Sequence, residues 1–251
     1  MTELTGVAHD HAGASDLVLS TVVYGQGGGR PLALHLLRPL QAQREPLPAL
    51  VWIHGGAWRQ GNKDEGILRL LPFARRGYVC ASVEYRLSHE ARFPAQIADC
   101  LCAVRFLRAN AARFGLGPER IGVWGLSAGG HLAALVGTAG DTPSLAGDGG
   151  WAGSSSRVQA VCDWFGPTDV AQMSRFPSSI DHDAPDAPEA LLLGGPVREH
   201  PDRVALANPI TYVTSATPPF LIFHGDEDPI VPHNQSRLLY DALAEAGVEA
   251  T

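Results

Sequence analysis

The sequence predicts one α/β domain built on a mostly parallel sheet with helices on both faces. Three observations carry that expectation. Short strand-type runs alternate with amphipathic helical segments along the chain. The runs at 49–53, 78–83, 121–124 and 219–223 are almost wholly apolar, which suits strands buried on both faces. The chain has 251 residues, 45% of them apolar, enough for one large core. No internal repeat or linker divides it. The expected layout is a mobile polar lead over 1–16 and a single domain over 17–251.

The elements follow in order. Leu17 to Tyr24 alternates, as does Leu32 to Leu37, and Gly27-Gly28-Gly29 lies between them, so an edge hairpin is expected. Gln41 to Pro48 reads as a proline-bearing loop. Ala49 to Ile53 is a buried strand running into His54-Gly55-Gly56-Ala57-Trp58. Ile67 to Arg76 is a short amphipathic helix ending at Gly77, and Tyr78 to Val83 is the next strand. Pro94 to Arg113 reads as one long helix, with Ile97, Leu101, Val104, Leu107 and Ala111 forming a core-facing stripe. Ile121 to Trp124 is a strand and Ala128 to Val136 a helix. Residues 141–207 hold a Gly/Ser/Asp-rich loop, the strand Val158 to Phe165, an irregular acidic stretch and two short helices, a small cap region. Pro219 to Phe223 is a strand and Asn234 to Ala246 an amphipathic helix that Gly247 ends.

Composition narrows the function classes. The formal charge is −7 and no basic cluster or aromatic-basic stripe appears, which argues against nucleic acid and anionic membranes as partners. The apolar runs are too short to span a bilayer. The polar N-terminus holds no signal core, so a cytoplasmic protein is expected. Cys80, Cys100, Cys102 and Cys162 lack metal-type spacing. Cys100 and Cys102 stand two apart on a helix and point away from each other, so buried free thiols are expected. His9-Asp10-His11, and His182 among Asp181, Asp183 and Asp186, read as solvated segments rather than metal sites.

The chemistry gathers at Gly125-Leu126-Ser127-Ala128-Gly129-Gly130. A strand that turns sharply into a helix puts Ser127 at a strained apex, and the glycines leave room for it. Ser127 would project above the carboxyl edge of the sheet, where the helix N-terminus favours developing negative charge. Gly55-Gly56 at the end of a strand can aim two N–H groups at one point, as an oxyanion hole requires. The same glycines also suit a plain strand-to-helix connection.

Together, His54 to Trp58, Gly125 to Gly130 and His224-Gly225-Asp226-Glu227-Asp228-Pro229-Ile230-Val231 resemble the α/β-hydrolase superfamily. More narrowly, they resemble esterases of the hormone-sensitive-lipase-like and feruloyl/acetyl-esterase-like groups. Tyr85-Arg86-Leu87-Ser88, Asp163 to Asp169 and Ala207-Asn208-Pro209-Ile210 extend the resemblance, which covers roughly Leu17 onward. The resemblance implies an α/β-hydrolase fold and a carboxylic ester hydrolase acting on short-chain or aromatic-acid esters. It implies Ser127 as nucleophile, the N–H groups of Gly56, Ala57 and Ala128 as oxyanion hole, and Asp228 as triad acid, with Asp226 the alternative. No cofactor or metal is implied, and the partner is a small ester. Trp58 and Trp164 either line the substrate pocket or only pack. An arylformamidase-type hydrolase, which also uses a His-Gly-Gly-x-Trp block, is a further reading.

One part of the family pattern has no match. The triad histidine should follow the acid. The single histidine among the 23 residues after Asp228 (251 − 228) is His233, at the start of a helix. The family's histidine lies beyond one more strand, and Gly247 to Thr251 reads as that strand just beginning. The expectation is that the last strand and helix are missing, which would leave Phe220 to Phe223 as a bare edge prone to self-association. A noncatalytic binding protein, a substitute among His224, His233 and His131, and a histidine from another chain are the other readings.

Overall fold

The alternating stretches Leu17–Gly27 (β1) and Arg30–Pro39 (β2) form the expected antiparallel hairpin. Its turn uses Gly28 and Gly29, both at positive φ. The computed structural model describes residues 17–41 and 43–251, and the expected lead over 1–16, with its His9-Asp10-His11, lies outside them. The remaining strands are Leu47–Ile53 (β3), Val79–Val83 (β4), Leu116–Leu126 (β5), Ala160–Trp164 (β6) and Phe220–Phe223 (β7). The sheet order is β1-β2-β4-β3-β5-β6-β7. Pairing is antiparallel from β1 to β4 and parallel from β4 to β7. This is the α/β-hydrolase sheet, and it sets β3 and β6 on either side of β5.

Helices cover the two faces unequally. Ala95–Ala109 (α2) and Ala128–Ala139 (α4) pack on one face in the larger core, which also takes residues of the short Pro188–Leu193 (α5) and Pro201–Ala207 (α6) and Leu239 and Leu243 of Asn234–Glu245 (α7). Gly66–Ala74 (α1) covers the other face beside Trp52, Cys80 and Trp124. Trp52, Trp124, Trp164 and Phe223 make an aromatic row across that second face, with ring centroids 4.6, 5.1 and 5.9 Å apart. The row ends at Phe223, which is 49% exposed.

The structure departs from the sequence reading at four places. The long helix expected over 94–113 breaks at Asn110, leaving α2 and the short Ala111–Phe114 (α3). The Asn110 side-chain amide donates to the Phe106 carbonyl at 2.8 Å, a local bond that competes with helix continuation. β5 starts earlier than expected, because Leu116 pairs with Leu47 across the sheet. The edge of β7 is not bare. Phe220 N–H donates to Glu249 C=O, Ile222 N–H to Thr251 C=O, and Thr251 N–H to Phe220 C=O, so residues 249–251 run beside it in parallel. The stretch around His182 is not solvated, as shown below.

The four cysteines are free thiols, three of them buried. Among the described residues no helix is long and apolar enough to cross a membrane.

One buried ion pair fixes the segment after β4. Arg86 grips Asp99 of α2 through Nε and Nη2 at 2.7–3.2 Å, and the Arg86 backbone N–H also donates to Asp99. Burial pushes the Asp99 carboxyl up, and the Arg86 bonds only partly offset it. Replacing Asp99 by Ala strands the guanidinium, so a loss of about 3–5 kcal/mol is expected in urea unfolding. A loss near zero would mean that water replaces the carboxylate.

Candidate active site

Ser127 has φ 52° and ψ −122°, a conformation few L-residues adopt. Its N–H donates to Trp164 C=O at 2.8 Å, and its C=O accepts from His131 N–H at 3.0 Å. The turn is tight enough that side chains cannot be added around it. A Cβ on Gly125 would lie 2.1 Å from Gly129 O, one on Gly129 2.2 Å from Ile53 O, and one on Gly130 2.3 Å from an Asp163 carboxylate oxygen. The three glycines therefore let the helix start press against β3 and β6.

The loop after β3 lies beside this turn. A Cβ on Gly55 would meet the Leu126 side chain at 2.6 Å. Gly56, Ala57 and Trp58 all have positive φ, at 103°, 55° and 56°. Among the described residues, neither the Gly56 nor the Ala57 N–H has a backbone acceptor. Ala128 opens α4, where a helix N–H has no partner within its own helix. Three unengaged donors thus come from the two segments that meet at Ser127. The Tyr85 block holds this loop from behind. Tyr85 stacks on His54 at 4.2 Å and its hydroxyl donates to His54 C=O, while Ser88 N–H donates to Trp58 C=O at 2.7 Å.

Asp228 sits in the turn after β7. Its Oδ1 accepts from Ile230 N–H at 2.8 Å and Val231 N–H at 2.9 Å. Its Oδ2 stands 3.7 Å from His224 Nε2, beyond hydrogen-bond reach. One oxygen is thus fixed and the other is open. The carboxylate borders a cavity of about 870 Å³ between the turn and residues 172–179. Asp226 is exposed.

Three histidines near the sheet's carboxyl edge are held in place by backbone or hydroxyl partners. His224 Nε2–H donates to Val231 C=O, so its Nδ1 accepts from Ser236 Oγ–H at 2.7 Å. His54 Nδ1–H donates to Gly55 C=O. His131 is fully buried, its Nε2–H donating to Ala207 C=O at 2.7 Å. His233 is exposed at the start of α7, its ring 5.3 Å from that of His224.

Of the two readings left open for Trp58 and Trp164, the geometry fits packing. Trp58 is only 2% exposed and its indole bonds His131. Trp164 lies in the aromatic row on the α1 face, away from α4. Alternation along β6 sets this, because Asp163 takes the α4 side and its neighbour must take the other.

Other residues support the site without a motif to announce them. His182, expected in a solvated loop, is buried beside Glu189, with Nδ1 3.2 Å from Oε1. Its Nε2 faces Ser178 Oγ and Ile230 C=O, which ties the cap to the Asp228 turn. Gln235 Oε1 accepts from Thr168 and Asp169 N–H, and Asn208 bonds Asp169 and Val170. The blocks at 163–169 and 207–210 are thereby joined. Asp163 is completely buried below the elbow, one oxygen accepting from Gly166 N–H. Burial raises its pKa to about 7, and the Gly166 bond offsets this only in part.

The BD-FAE family model matches residues 34–243, and the chain belongs to that family of α/β-hydrolase esterases. Esterase LipQ of Mycobacterium tuberculosis is 32% identical over 91% of the chain and 53% of its own length. Isoprenylcysteine alpha-carbonyl methylesterase ICME of Arabidopsis thaliana is 28% identical over 94% of the chain and 55% of its own. The chain thus spans about half the length of the curated relatives it matches. A truncated carbohydrate esterase from gut microbiota superposes with TM-score 0.82 at 34% identity, over 98% of this chain and 89% of that one. Esterase Est2 of Thermogutta terrifontis gives TM-score 0.76 at 27% identity, over 92% and 79%. The same esterase has been solved with propionate and with butyrate bound.

The Asp163 environment sets a pH dependence of stability. Its folded pKa of about 7 lies above the ordinary carboxylate value. This contribution is whole at pH values below the unfolded pKa and is lost as pH rises toward 7. Asp163→Asn keeps an acceptor for Gly166 and removes the charge. The variant should gain stability over the wild type by a few kcal/mol at pH 8 and little at pH 4, read by thermal unfolding. A constant difference across that range would show that Asp163 does not titrate there.

Proposed function

We propose that this chain supplies the nucleophile, acid and oxyanion donors of a carboxylic ester hydrolase working through an acyl-serine intermediate. The observation that carries the reading is the strained Ser127 at the head of α4, flanked by the unengaged Gly56 and Ala57 N–H groups. In this chemistry a base takes the Ser127 proton as Oγ attacks the ester carbonyl. The oxyanion forms against the N–H groups of Gly56, Ala57 and Ala128, each such donor being worth about 10²–10³ in rate. The alcohol leaves with a proton, and water then attacks the acyl-serine to release the acid and restore Ser127. In this reading Asp228 orients the base and stabilises its cation, which the open Oδ2 supports.

Substrates are esters of short acyl or aromatic acids. The propionate and butyrate bound to the Thermogutta enzyme support the short acyl groups, the carbohydrate esterase among the solved neighbours supports an ester substrate, and the aromatic acids rest on the resemblance of the motifs alone.

Neither His131 nor His224 is free to act as the general base, because each is engaged through both ring nitrogens. This observation favours a second reading, a hydrolase-fold binding protein without turnover. Hydrolysis of p-nitrophenyl acetate beside a Ser127→Ala control separates the two. The esterase reading expects turnover that disappears in the variant and falls steeply in Asp228→Asn. Equal rates in wild type and Ser127→Ala would leave the binding reading standing.

A further inference from the structure

We propose that Trp58 and His131 are positioning residues, whose buried indole–imidazole hydrogen bond holds the oxyanion loop in register with the nucleophile. The proposal rests on reading Gly56 and Ala57 as oxyanion donors.

The loop needs an external restraint. Two successive non-glycine residues, Ala57 and Trp58, sit at positive φ. Such backbone persists only where surrounding contacts over-determine it. Two contacts are internal, Arg59 N–H and Gln60 N–H both donating to Gly56 C=O at 3.1 Å. A third runs back to Ser88. None of these refers the loop to Ser127. The Trp58 side chain does: its Nε1–H donates to His131 Nδ1 at 3.1 Å. His131 lies one turn past Ser127 on α4, and its own N–H bonds Ser127 C=O. Loop and nucleophile are thus referred to one buried ring.

The donor and acceptor chemistry leaves the ring one workable state. Indole N–H can only donate, so Nδ1 must be the unprotonated acceptor. Nε2 then carries the hydrogen, and Ala207 C=O receives it at 2.7 Å. Burial lowers the His131 pKa to about 4, which keeps the ring neutral through the working range. A protonated ring would set N–H against N–H. Ala207 precedes Asn208, which bonds Asp169 and Val170. One imidazole therefore joins the oxyanion loop, the nucleophile helix and the cap. A tryptophan held by packing alone would need no acceptor at its nitrogen.

The test uses Trp58→Phe, His131→Leu and His131→Asn. The last keeps an acceptor oxygen near the Nδ1 position. Amide hydrogen exchange is read at Gln60 and Ser88, which close the loop, with Val123 of β5 as the core reference. Exchange at Gln60 and Ser88 should quicken by about tenfold in Trp58→Phe and His131→Leu, stay near wild type in His131→Asn, and not change at Val123. Ester turnover should show kcat falling by about tenfold or more with KM unchanged in the first two variants. Unchanged exchange in both would overturn the proposal, whatever the turnover. Faster exchange with an undiminished kcat would also overturn it. Wild-type chain without Ser127-dependent turnover, but with the exchange pattern intact, would refute the esterase reading and leave the tether standing.

Discussion

The rest of the structure depends on a steric constraint: backbone passes 2.1 and 2.2 Å from where side chains would stand at Gly125 and Gly129, and the Asp163 carboxylate 2.3 Å from the same place at Gly130. That closeness lets α4 begin against the ends of β3 and β6, and it holds Ser127 in a backbone conformation it would not choose alone. Trp164 C=O and His131 N–H complete the restraint. Any methyl group at these glycines would push β3, β6 or the turn itself apart.

Sheet order turns that local constraint into a site. β5 lies between β3 and β6, so the loops leaving both flanking strands reach the elbow. The β3 loop brings the N–H groups of Gly56 and Ala57, and the end of β6 brings Asp163 and the Trp164 carbonyl. The Asp228 turn follows β7, one strand further out, and is gripped by the cap through Ser178 and His182. Buried polar groups serve mainly as ties between these loops. Most are bonded to backbone, which keeps the loops defined where no regular pairing exists. At Asp163 one carboxylate oxygen has no partner and the side chain is completely buried, so its charge is unfavourable.

Much of this was legible in the sequence because it rests on local rules. The glycine spacing around Ser127, the apolar runs of β3 and β5 and the amphipathic stripes of α2 and α7 each encode their own structure. What escaped the sequence depends on long-range partners. Trp164 was expected near the rim, but alternation assigns its face once Asp163 is known to point to α4. His182 sits among acidic residues in the chain, yet its neutralising partner Glu189 and its acceptor on Ile230 are fixed by the fold. Asn110 broke a helix whose apolar stripe ran through it, because its amide found the Phe106 carbonyl. His131 stands four residues past Ser127, but its side-chain partners, Trp58 and Ala207, lie 73 and 76 residues away and no local pattern announces them.

The central claim is that Ser127 Oγ and the flanking N–H groups form a preorganised site for a tetrahedral oxyanion. Boron NMR of an alkylboronic acid mixed with the chain tests it directly, since a boronate on serine reproduces that geometry without turnover. The expected result is a tetrahedral boron signal that saturates at one per chain and is absent from Ser127→Ala. A trigonal boron signal alone, or a tetrahedral signal that survives in Ser127→Ala, would contradict the account.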